Sequence, residues 1–290
     1  MTQAPAGIAP PFELPVGPVR IRIVDLPLPF PDAIARWYGD FARPAGDALP
    51  DLTVSCHVGA GTVVPVPGPG GATRLEVERV DGEIVRVRSH WQDGRIDLAR
   101  GDATLLLTDL EPRRLSMSFE NFVRVAAQLV LLERGAFLLH ASAVVDGERA
   151  IAFFGPSGAG KSTAAGLLGP RPVLTDDMIV IDARGAVPTA STVPFHMRFP
   201  LERRHRGPVP LAALLRLRQA DEDRVERLPA ARAVATVSAS VPYVHELGLP
   251  HAGLTGLVAR VVERTFVGEL SFRPHAEFWS AVESALDAPR

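Results

Sequence analysis

The chain has 290 residues, of which 47% are hydrophobic and 22% are charged, and its formal net charge is -2 at pH 7. That length is sufficient to bury a core and to form one large or two modest domains. Because acidic and basic residues nearly balance, the composition gives no electrostatic basis for binding nucleic acid or an anionic membrane.

The single cysteine and the N-terminal residues indicate the compartment. Cys56 is the only cysteine, which excludes an internal disulfide framework and a zinc site built from cysteines. The first residues lack the basic and apolar pattern of a signal peptide, and no apolar run comes near the roughly 20 residues that span a bilayer. We therefore expect a cytoplasmic protein without a membrane segment.

The first third of the chain is predicted to be mostly β-structure. Residues 1–18 are rich in proline, alanine and glycine and are expected to form a flexible arm. Residues 19–117 contain several runs that alternate apolar and polar residues, and Asp81-Gly82 between two such runs is typical of a two-residue hairpin turn. Apolar residues at helical spacing follow, with Ser118 as the expected N-cap, and we place a second domain at residues 118–290.

The most specific motif is a glycine-rich segment of the form G-x-x-x-x-G-K-[ST]. An apolar run precedes it and helix-forming residues follow it, which is the strand-loop-helix context that the motif requires. Its residues are Gly155, Pro156, Ser157, Gly158, Ala159, Gly160, Lys161, Ser162 and Thr163.

These residue types suit a nucleoside triphosphate. The glycines let consecutive backbone N–H groups point into one concavity that holds phosphates. Lys161 can reach the terminal phosphates as a point charge, and Ser162 can offer its hydroxyl to Mg²⁺. We expect ATP and Mg²⁺ as ligands, although the motif fits GTP equally well; the alternative is a glycine-rich turn without a ligand.

The strand before this motif is predicted to belong to a β-hairpin. Residues 137–145 and 149–154 are apolar runs, and Asp146-Gly147 lies between them as a turn signal. The neighbour that precedes the strand in the chain is therefore expected to be antiparallel to it. In most phosphate-loop GTPases and motors the neighbours are parallel and are reached through helical crossovers.

An acidic pair, Asp176 and Asp177, precedes the apolar run 178–181. A helix of about eight residues carries the chain about 12 Å away from the glycine-rich segment, and half a dozen extended residues can return about 20 Å. The pair can therefore reach bound phosphates, where one carboxylate could bind Mg²⁺ and the other could accept a hydroxyl proton. The alternative is an Asx-type turn ahead of a strand.

Two further features have an ordinary and a functional interpretation. His140 lies in the predicted hairpin, where it is either a satisfied core residue or a contact to the phosphates or the acceptor. Arg198 and residues 203–206 form a basic cluster, which is either a solvated face or a loop that closes over the phosphates or grips the acceptor.

The order of His140, the hairpin turn, the glycine-rich motif, a short helix and Thr175-Asp176-Asp177 resembles the C-terminal kinase domain of bacterial HPr serine kinase/phosphorylase and its divergent relatives. The resemblance implies a mixed-sheet α/β (α+β) domain of the HPr kinase and phosphoenolpyruvate carboxykinase type. It also implies Asp176 as catalytic base, Asp177 and Ser162 as Mg²⁺ ligands, Lys161 as phosphate clamp and His140 as supporting proton acceptor. The Glu-x-x-Met-x-x-Arg run of those enzymes is absent, which argues against HPr as acceptor and against phosphorylase activity.

The expected activity is ATP-dependent transfer of the γ-phosphoryl group to a hydroxyl, with a Ser of a protein or peptide as the acceptor. Two alternatives stay open: a kinase acting on a small metabolite, and a nucleotide-binding regulatory or assembly module without transfer. The expected partner is a protein or peptide, with neither nucleic acid nor membrane, and an oligomer is compatible with the sequence.

Overall fold

Alternating burial along short strands produces one sheet in each half of the chain. The protein is represented by a computed structural model, which describes residues 9–27, 38–66, 74–109, 111–195, 198–244 and 251–287. The chain divides into two units, the first formed by Met1–Arg134 with Tyr243–Leu249 and the second by Gly135–Pro242 with Pro250–Arg290. Each unit has a mixed sheet of eight strands, and five helices are described, which confirms the predicted mixed α+β class.

The sheet of the first unit has the strand order β3-β1-β2-β4-β8-β7-β6-β5. Strand β4 is parallel to both of its neighbours and the remaining pairs are antiparallel. The elements are β1 (Phe12–Val16), β2 (Val19–Val24), β3 (Arg43–Pro44), β4 (Leu52–Val58), β5 (Glu76–Asp81), β6 (Ile84–Arg88), β7 (Gln92–Asp97), β8 (Asp102–Leu107) and α1 (Pro112–Glu133).

Two boundaries differ from the sequence-based expectation. Of the predicted arm, residues 1–8 lie outside the described residues, whereas Phe12–Val16 form β1 because Leu14 and Val16 alternate into the core. Helix α1 groups with the first unit, while the predicted domain boundary at residue 118 assigned it to the second. The predicted hairpin at Asp81-Gly82 is confirmed, with β5 and β6 antiparallel on either side of it.

The start of α1 corrects the prediction that Ser118 is its N-cap. The helix begins at Pro112, whose fixed φ suits the first helical position. Glu111 is the N-cap, and its carboxylate accepts hydrogen bonds from the backbone N–H groups of Arg113 at 3.1 Å and Arg114 at 3.0 Å. Ser118 lies buried inside the helix, on the face that also carries Phe122.

By length and composition alone, α1 could cross a membrane, which the sequence analysis did not anticipate. Within the described residues, however, 67% of its most apolar window is buried. The helix contacts β2, β7 and β8 of its own sheet, so its apolar face packs on the core of the first unit.

The second unit is built on two long strands, β9 and β14. The order in its sheet is β10-β9-β12-β13-β14-β16-β15, with β11 on β9, and β10 also pairs with β14. The elements are β9 (Ala136–Asp146), β10 (Arg149–Phe154), α2 (Lys161–Leu167), β11 (Val173–Thr175), β12 (Met178–Asp182), β13 (Thr189–Ser191), a 3₁₀ turn (Leu201–Arg203), β14 (Val209–Gln219), β15 (Arg224–Arg227), α3 (Ala230–Ser238), α4 (His251–Arg264), β16 (Phe266–Phe272) and α5 (Phe278–Asp287).

The predicted hairpin before the glycine-rich motif is confirmed. Strands β9 and β10 are antiparallel from Asp146↔Arg149 to Ala141↔Phe154, and Gly147 in the turn has a φ of 60°. On its other edge β10 has a parallel neighbour, β14. The extra β10–β14 pairing closes a ring of five strands, β10-β9-β12-β13-β14.

Gly94 of β7 shows why a glycine occurs inside a strand of the first unit. A Cβ atom at this position would lie 2.2 Å from Cε2 of Phe122, a fully buried ring of α1. Because Gly94 has no side chain, the Phe122 ring can pack directly on the sheet.

We expect Gly94→Ala to lower the free energy of unfolding by about 1–3 kcal/mol, because the buried Phe122 ring must shift. Urea denaturation followed by fluorescence measures the loss. Gly46→Ala is the matched control, since a Cβ there meets nothing within 4 Å. Equal stability of the two variants would show that α1 does not pack on β7 in this way.

The thiol of Cys56 serves as a probe of the same unit. Burial, with a smaller contribution from Asp25, raises its pKa to about 12. We expect no reaction with a thiol reagent at neutral pH until urea unfolds the unit, since the thiolate is the reactive form. Fast labelling of the native protein, measured by mass spectrometry, would contradict the buried position.

Candidate active site

Strand β9 brings the glycine-rich motif and the acidic pair to the same level of the sheet. Along one edge, Ala141 pairs with Phe154, the last residue of β10 before the loop. Along the other edge, His140 pairs with Met178, the first residue of β12, and the Ala141 N–H donates to the Asp177 carbonyl at 3.1 Å. The two motifs are thus separated by the width of a single strand.

Residues 155–160, which we term the glycine-rich loop, connect β10 to α2. Gly155, Gly158 and Gly160 have φ values of 141°, 80° and 98°, which other residues rarely adopt. A Cβ at Gly160 would lie 3.1 Å from the Phe272 ring, so this glycine also permits a close approach. The Gln219 side-chain N–H donates to the Gly158 carbonyl at 3.1 Å, which ties the loop to the end of β14.

The remaining motif residues differ in exposure. Pro156, Ser157 and Thr163 are exposed, with Thr163 in the first turn of α2. Ala159 is buried, and its N–H donates to the Pro156 carbonyl at 3.2 Å.

Lys161 is the first residue of α2 and is only 7% exposed. Its Nζ donates hydrogen bonds to the carbonyls of Gly155 at 3.0 Å and Pro156 at 3.1 Å, within its own loop. Burial lowers the pKa of Lys161, and the carboxylate of Asp177 counteracts part of that decrease. Ser142 of β9 anchors this residue, because its hydroxyl donates to the Lys161 carbonyl at 2.6 Å.

Ser162 directly contacts the acidic pair. Its hydroxyl donates to the backbone carbonyl of Asp176 at 3.1 Å. A hydroxyl that donates its proton in one direction keeps its oxygen lone pairs for another partner. The hydroxyl proposed for the metal is thus held beside Asp176 by a contact that leaves its lone pairs available.

The side chain of Asp176 is the most buried carboxylate of the site, with 6% exposure of the residue. Both of its oxygens lie 3.3 Å from the backbone nitrogen of Arg198, which donates to them. Burial raises the pKa of Asp176, the Arg198 amide opposes this, and the charge of Asp177 adds to the increase. The carboxyl group therefore binds a proton more readily than an exposed aspartate does.

Asp177 faces His140 across the two paired strands. Its Oδ1 lies 3.5 Å from Nε2 of His140, whose side chain is 43% exposed. That exposure argues against the interpretation of His140 as a core residue. The turn at the acidic pair is closed by Thr175, whose hydroxyl oxygen accepts the N–H groups of Asp177 and Met178, each at 3.2 Å. The turn is thus a threonine turn, where an Asx-type turn was the alternative prediction.

The oxygen donors of the site fit Mg²⁺. Mg²⁺ prefers oxygen ligands and is usually bound by one or two carboxylates together with substrate phosphates. The Ser162 hydroxyl and the carboxylates of Asp176 and Asp177 supply such donors. In the parts of the chain that the structure describes, no three His, Cys, Asp or Glu side chains are grouped to hold a metal by themselves.

Sequence reasoning missed three contributors to this geometry: Ser142, Gln219 and the main chain of Arg198. Ser142 had a local signal, since a polar residue in an apolar strand needs a hydrogen-bond partner. Gln219 and Arg198 had none, because their contacts to the loop and to Asp176 join residues 61 and 22 positions apart.

A protein-family model matches part of the chain. Residues 111–252 are similar to the family described as ScmC, SynChlorMet cassette protein ScmC. Of the site residues described above, only Phe272, which lies next to Gly160, falls outside this range. No curated protein matches the chain.

This match corrects the resemblance to HPr serine kinase/phosphorylase, which was wrong: the matching family model is ScmC, and no HPr kinase family matches. The physical reason is that a glycine-rich loop followed by an acidic pair is required by phosphate chemistry in many proteins. Those residues therefore do not distinguish one family from another. The roles of Asp176, Asp177 and His140 must be argued from the geometry of this chain.

We expect Asp176→Asn to leave the free energy of unfolding unchanged or to raise it at neutral pH. A carboxyl whose pKa is raised on folding stabilises the fold only while protonated, and that contribution is lost as the pH rises through the folded-state pKa. The gain of Asp176→Asn over the wild type should therefore grow from acid to neutral pH, as measured by urea denaturation at several pH values.

Asp182→Asn is the matched control, and it should change the free energy of unfolding at neutral pH in the opposite direction, by lowering it. Burial opposes ionisation of Asp182, but hydrogen bonds from Arg184 outweigh burial and lower its pKa. Its contribution is present above the ordinary carboxyl pKa and is lost as the pH falls through the folded-state pKa. A loss of stability at neutral pH in both variants would contradict the raised pKa of Asp176.

Proposed function

We propose that this protein is an ATP-dependent phosphotransferase that moves the γ-phosphoryl group to a hydroxyl, with a Ser of a protein or peptide as the acceptor. The observation that carries the proposal is the contact between Ser162 and Asp176. It joins a hydroxyl of the glycine-rich motif to the main-chain carbonyl of Asp176, the residue whose buried carboxyl group has a raised pKa. Binding of a triphosphate alone would not require a proton acceptor at that position.

The glycine-rich loop and Lys161 are proposed to bind the phosphates of ATP. Convergent backbone N–H groups of the loop offer donors to phosphate oxygens. Lys161 now donates to two loop carbonyls, and phosphate oxygens would replace those carbonyls as its acceptors. The lowered pKa of Lys161 should then return toward its ordinary value, because a phosphate stabilises the ammonium form.

Ser162 and Asp177 are proposed to hold Mg²⁺, which supplies positive charge next to the phosphates when it is bound. Asp177 suits this role because it is more exposed than Asp176 and acts electrostatically on Lys161, on the side of the site where the phosphates would bind. His140 would orient Asp177 through the Nε2–Oδ1 contact and act as a supporting proton acceptor.

Asp176 is proposed as the catalytic base. The acceptor hydroxyl gives its proton to the Asp176 carboxylate, its oxygen forms the new bond to the γ-phosphorus, and the bond from that phosphorus to the bridging oxygen of ADP breaks. A raised pKa improves a carboxylate as a base near neutral pH. The rate should therefore fall as the pH falls through the pKa of Asp176.

Composition and burial support a proposed compartment and a proposed kind of partner. An ATP-dependent enzyme with a buried, unpaired Cys56 thiol suits the cytoplasm, and the balanced charge favours a protein or peptide partner over nucleic acid or membrane.

We expect Asp176→Asn to lower phosphoryl transfer by at least about 10²-fold, the scale of general base catalysis, while nucleotide affinity stays within a factor of about three. Lys161→Ala should weaken both transfer and nucleotide affinity, because its ammonium group contacts the phosphates in both states. Transfer from labelled ATP to protein, peptide and metabolite pools and calorimetric titration with ATP measure the two effects.

The same assay separates the alternatives. A labelled metabolite without a labelled peptide would replace the protein acceptor by a small molecule. Tight binding of ATP without any labelled acceptor would support a nucleotide-binding regulatory module. Retained transfer in Asp176→Asn would contradict Asp176 as the base.

A further inference from the structure

The segment from residue 198 to residue 206, which we term the basic segment, borders the candidate site. It contains four arginines and His205 against one acidic residue, Glu202. A cluster of this kind on a remote surface would be a solvated face. The basic segment instead lies next to the acidic pair, because the Arg198 N–H contacts the Asp176 carboxylate.

The basic segment is attached to the site at its start. The backbone N–H of Arg198 donates to the Asp176 carboxylate at 3.3 Å. Phe199 then lies beside α2, since a Cβ added to Gly166 would be 3.8 Å from its ring. The first two residues of the segment thus connect the proposed base to the helix that follows the glycine-rich loop.

The segment is attached at its other end as well. The Arg203 guanidinium lies 4.9 Å from the centre of the Phe199 ring and donates to the Arg171 carbonyl at 3.2 Å. The His205 N–H donates to the Val173 carbonyl at 3.0 Å, next to a bridge between Val173 and Arg204. Contacts at both ends hold the basic charges along the border of the site.

The side chain of Arg198 is the one placed to act on an acceptor. It is exposed, and its charge acts on the buried Asp176, whose carboxyl pKa it lowers. Lys161 already provides a cation for the phosphates, on the side of Asp177. Arg198 supplies a second cation on the side of Asp176, where the acceptor hydroxyl must arrive.

The local charge decides which acceptors can approach. Asp176 and Asp177 would repel a peptide that carries carboxylates, unless a nearby cation compensates for them. Arginine suits this purpose because its planar guanidinium binds a carboxylate through two parallel hydrogen bonds.

We propose that Arg198 is a specificity-determining residue that binds a carboxylate of the acceptor next to the hydroxyl to be phosphorylated, so that the acceptor is an acidic peptide segment. This inference rests on the proposed function, which names the hydroxyl and the base. The other oxyanion that Arg198 could bind is the transferred phosphoryl group. If Arg198 binds the acceptor carboxylate, its removal raises the KM for the peptide. If it binds the transferred phosphoryl group, its removal raises the KM for ATP.

The test uses the full-length protein, labelled ATP and three peptides that share one central Ser, flanked by Glu, by Ala or by Lys. The wild type should show a kcat/KM for the Glu peptide about tenfold above that for the Ala peptide, the effect of one charge-assisted contact. Arg198→Ala keeps the backbone N–H that binds Asp176. It should remove this preference by raising the KM for the Glu peptide, with the KM for ATP unchanged.

Arg198→Glu should reverse the preference toward the Lys peptide, because it adds a repulsive charge against carboxylates. Arg100→Glu is the matched control, since this side chain is 77% exposed in the other unit, and it should leave all three peptides unaffected. Thermal unfolding with and without ATP checks that each variant is folded and binds nucleotide.

The outcomes are distinct. Labelling of all three peptides with equal kcat/KM would leave the phosphotransferase intact and overturn the role of Arg198. An increase in the KM for ATP in Arg198→Ala, independent of the peptide, would assign Arg198 to the phosphoryl group and overturn the acidic acceptor. If no peptide is labelled while ATP binds, the proposed function itself fails and this inference fails with it.

Discussion

The backbone pairing of β9 on both of its edges is the constraint on which the candidate site depends. One edge fixes where the glycine-rich loop begins, through Ala141↔Phe154, and the other edge fixes the acidic pair, through His140↔Met178. A shift of either register by one residue would turn the side chains on that strand to the opposite face. The distance between the loop and the carboxylates is therefore set by hydrogen-bond ladders, and the flexible side chains only complete the site.

The ionisable groups of the site are held by main-chain atoms at some cost in stability. Lys161 and Asp176 are both largely buried. Burial lowers the pKa of Lys161 and raises the pKa of Asp176, so it favours the neutral form of each side chain. Hydrogen bonds from Lys161 to loop carbonyls and from the Arg198 amide to Asp176 offset part of that cost. Such partial compensation is typical of functional sites, where buried polar groups are retained for chemistry at the expense of stability.

The sequence was informative where the chemistry is local and uninformative where it is tertiary. The strand, glycine-rich loop and helix, the hairpin and the mixed α+β class could be predicted because each depends on neighbouring residues. The start of α1 was misplaced because Glu111 and Pro112 were not recognised as a cap and first turn. The family was misassigned because a glycine-rich loop followed by an acidic pair does not distinguish one family from another. The contact of Arg198 with Asp176 could not be predicted, since a chain reversal of 22 residues creates it.

The closed ring of five strands has a consequence for how this unit emerges from the ribosome. The hairpin of β9 and β10 can form early, but the second partner of β10 is β14, and Val209 follows Phe154 by 55 residues. Until then β10, with the buried residues Ile151 and Phe153, has an unpaired apolar edge that other chains could join. The nascent chain passes through an aggregation-prone interval, and a fragment that ends before β14 would remain in it.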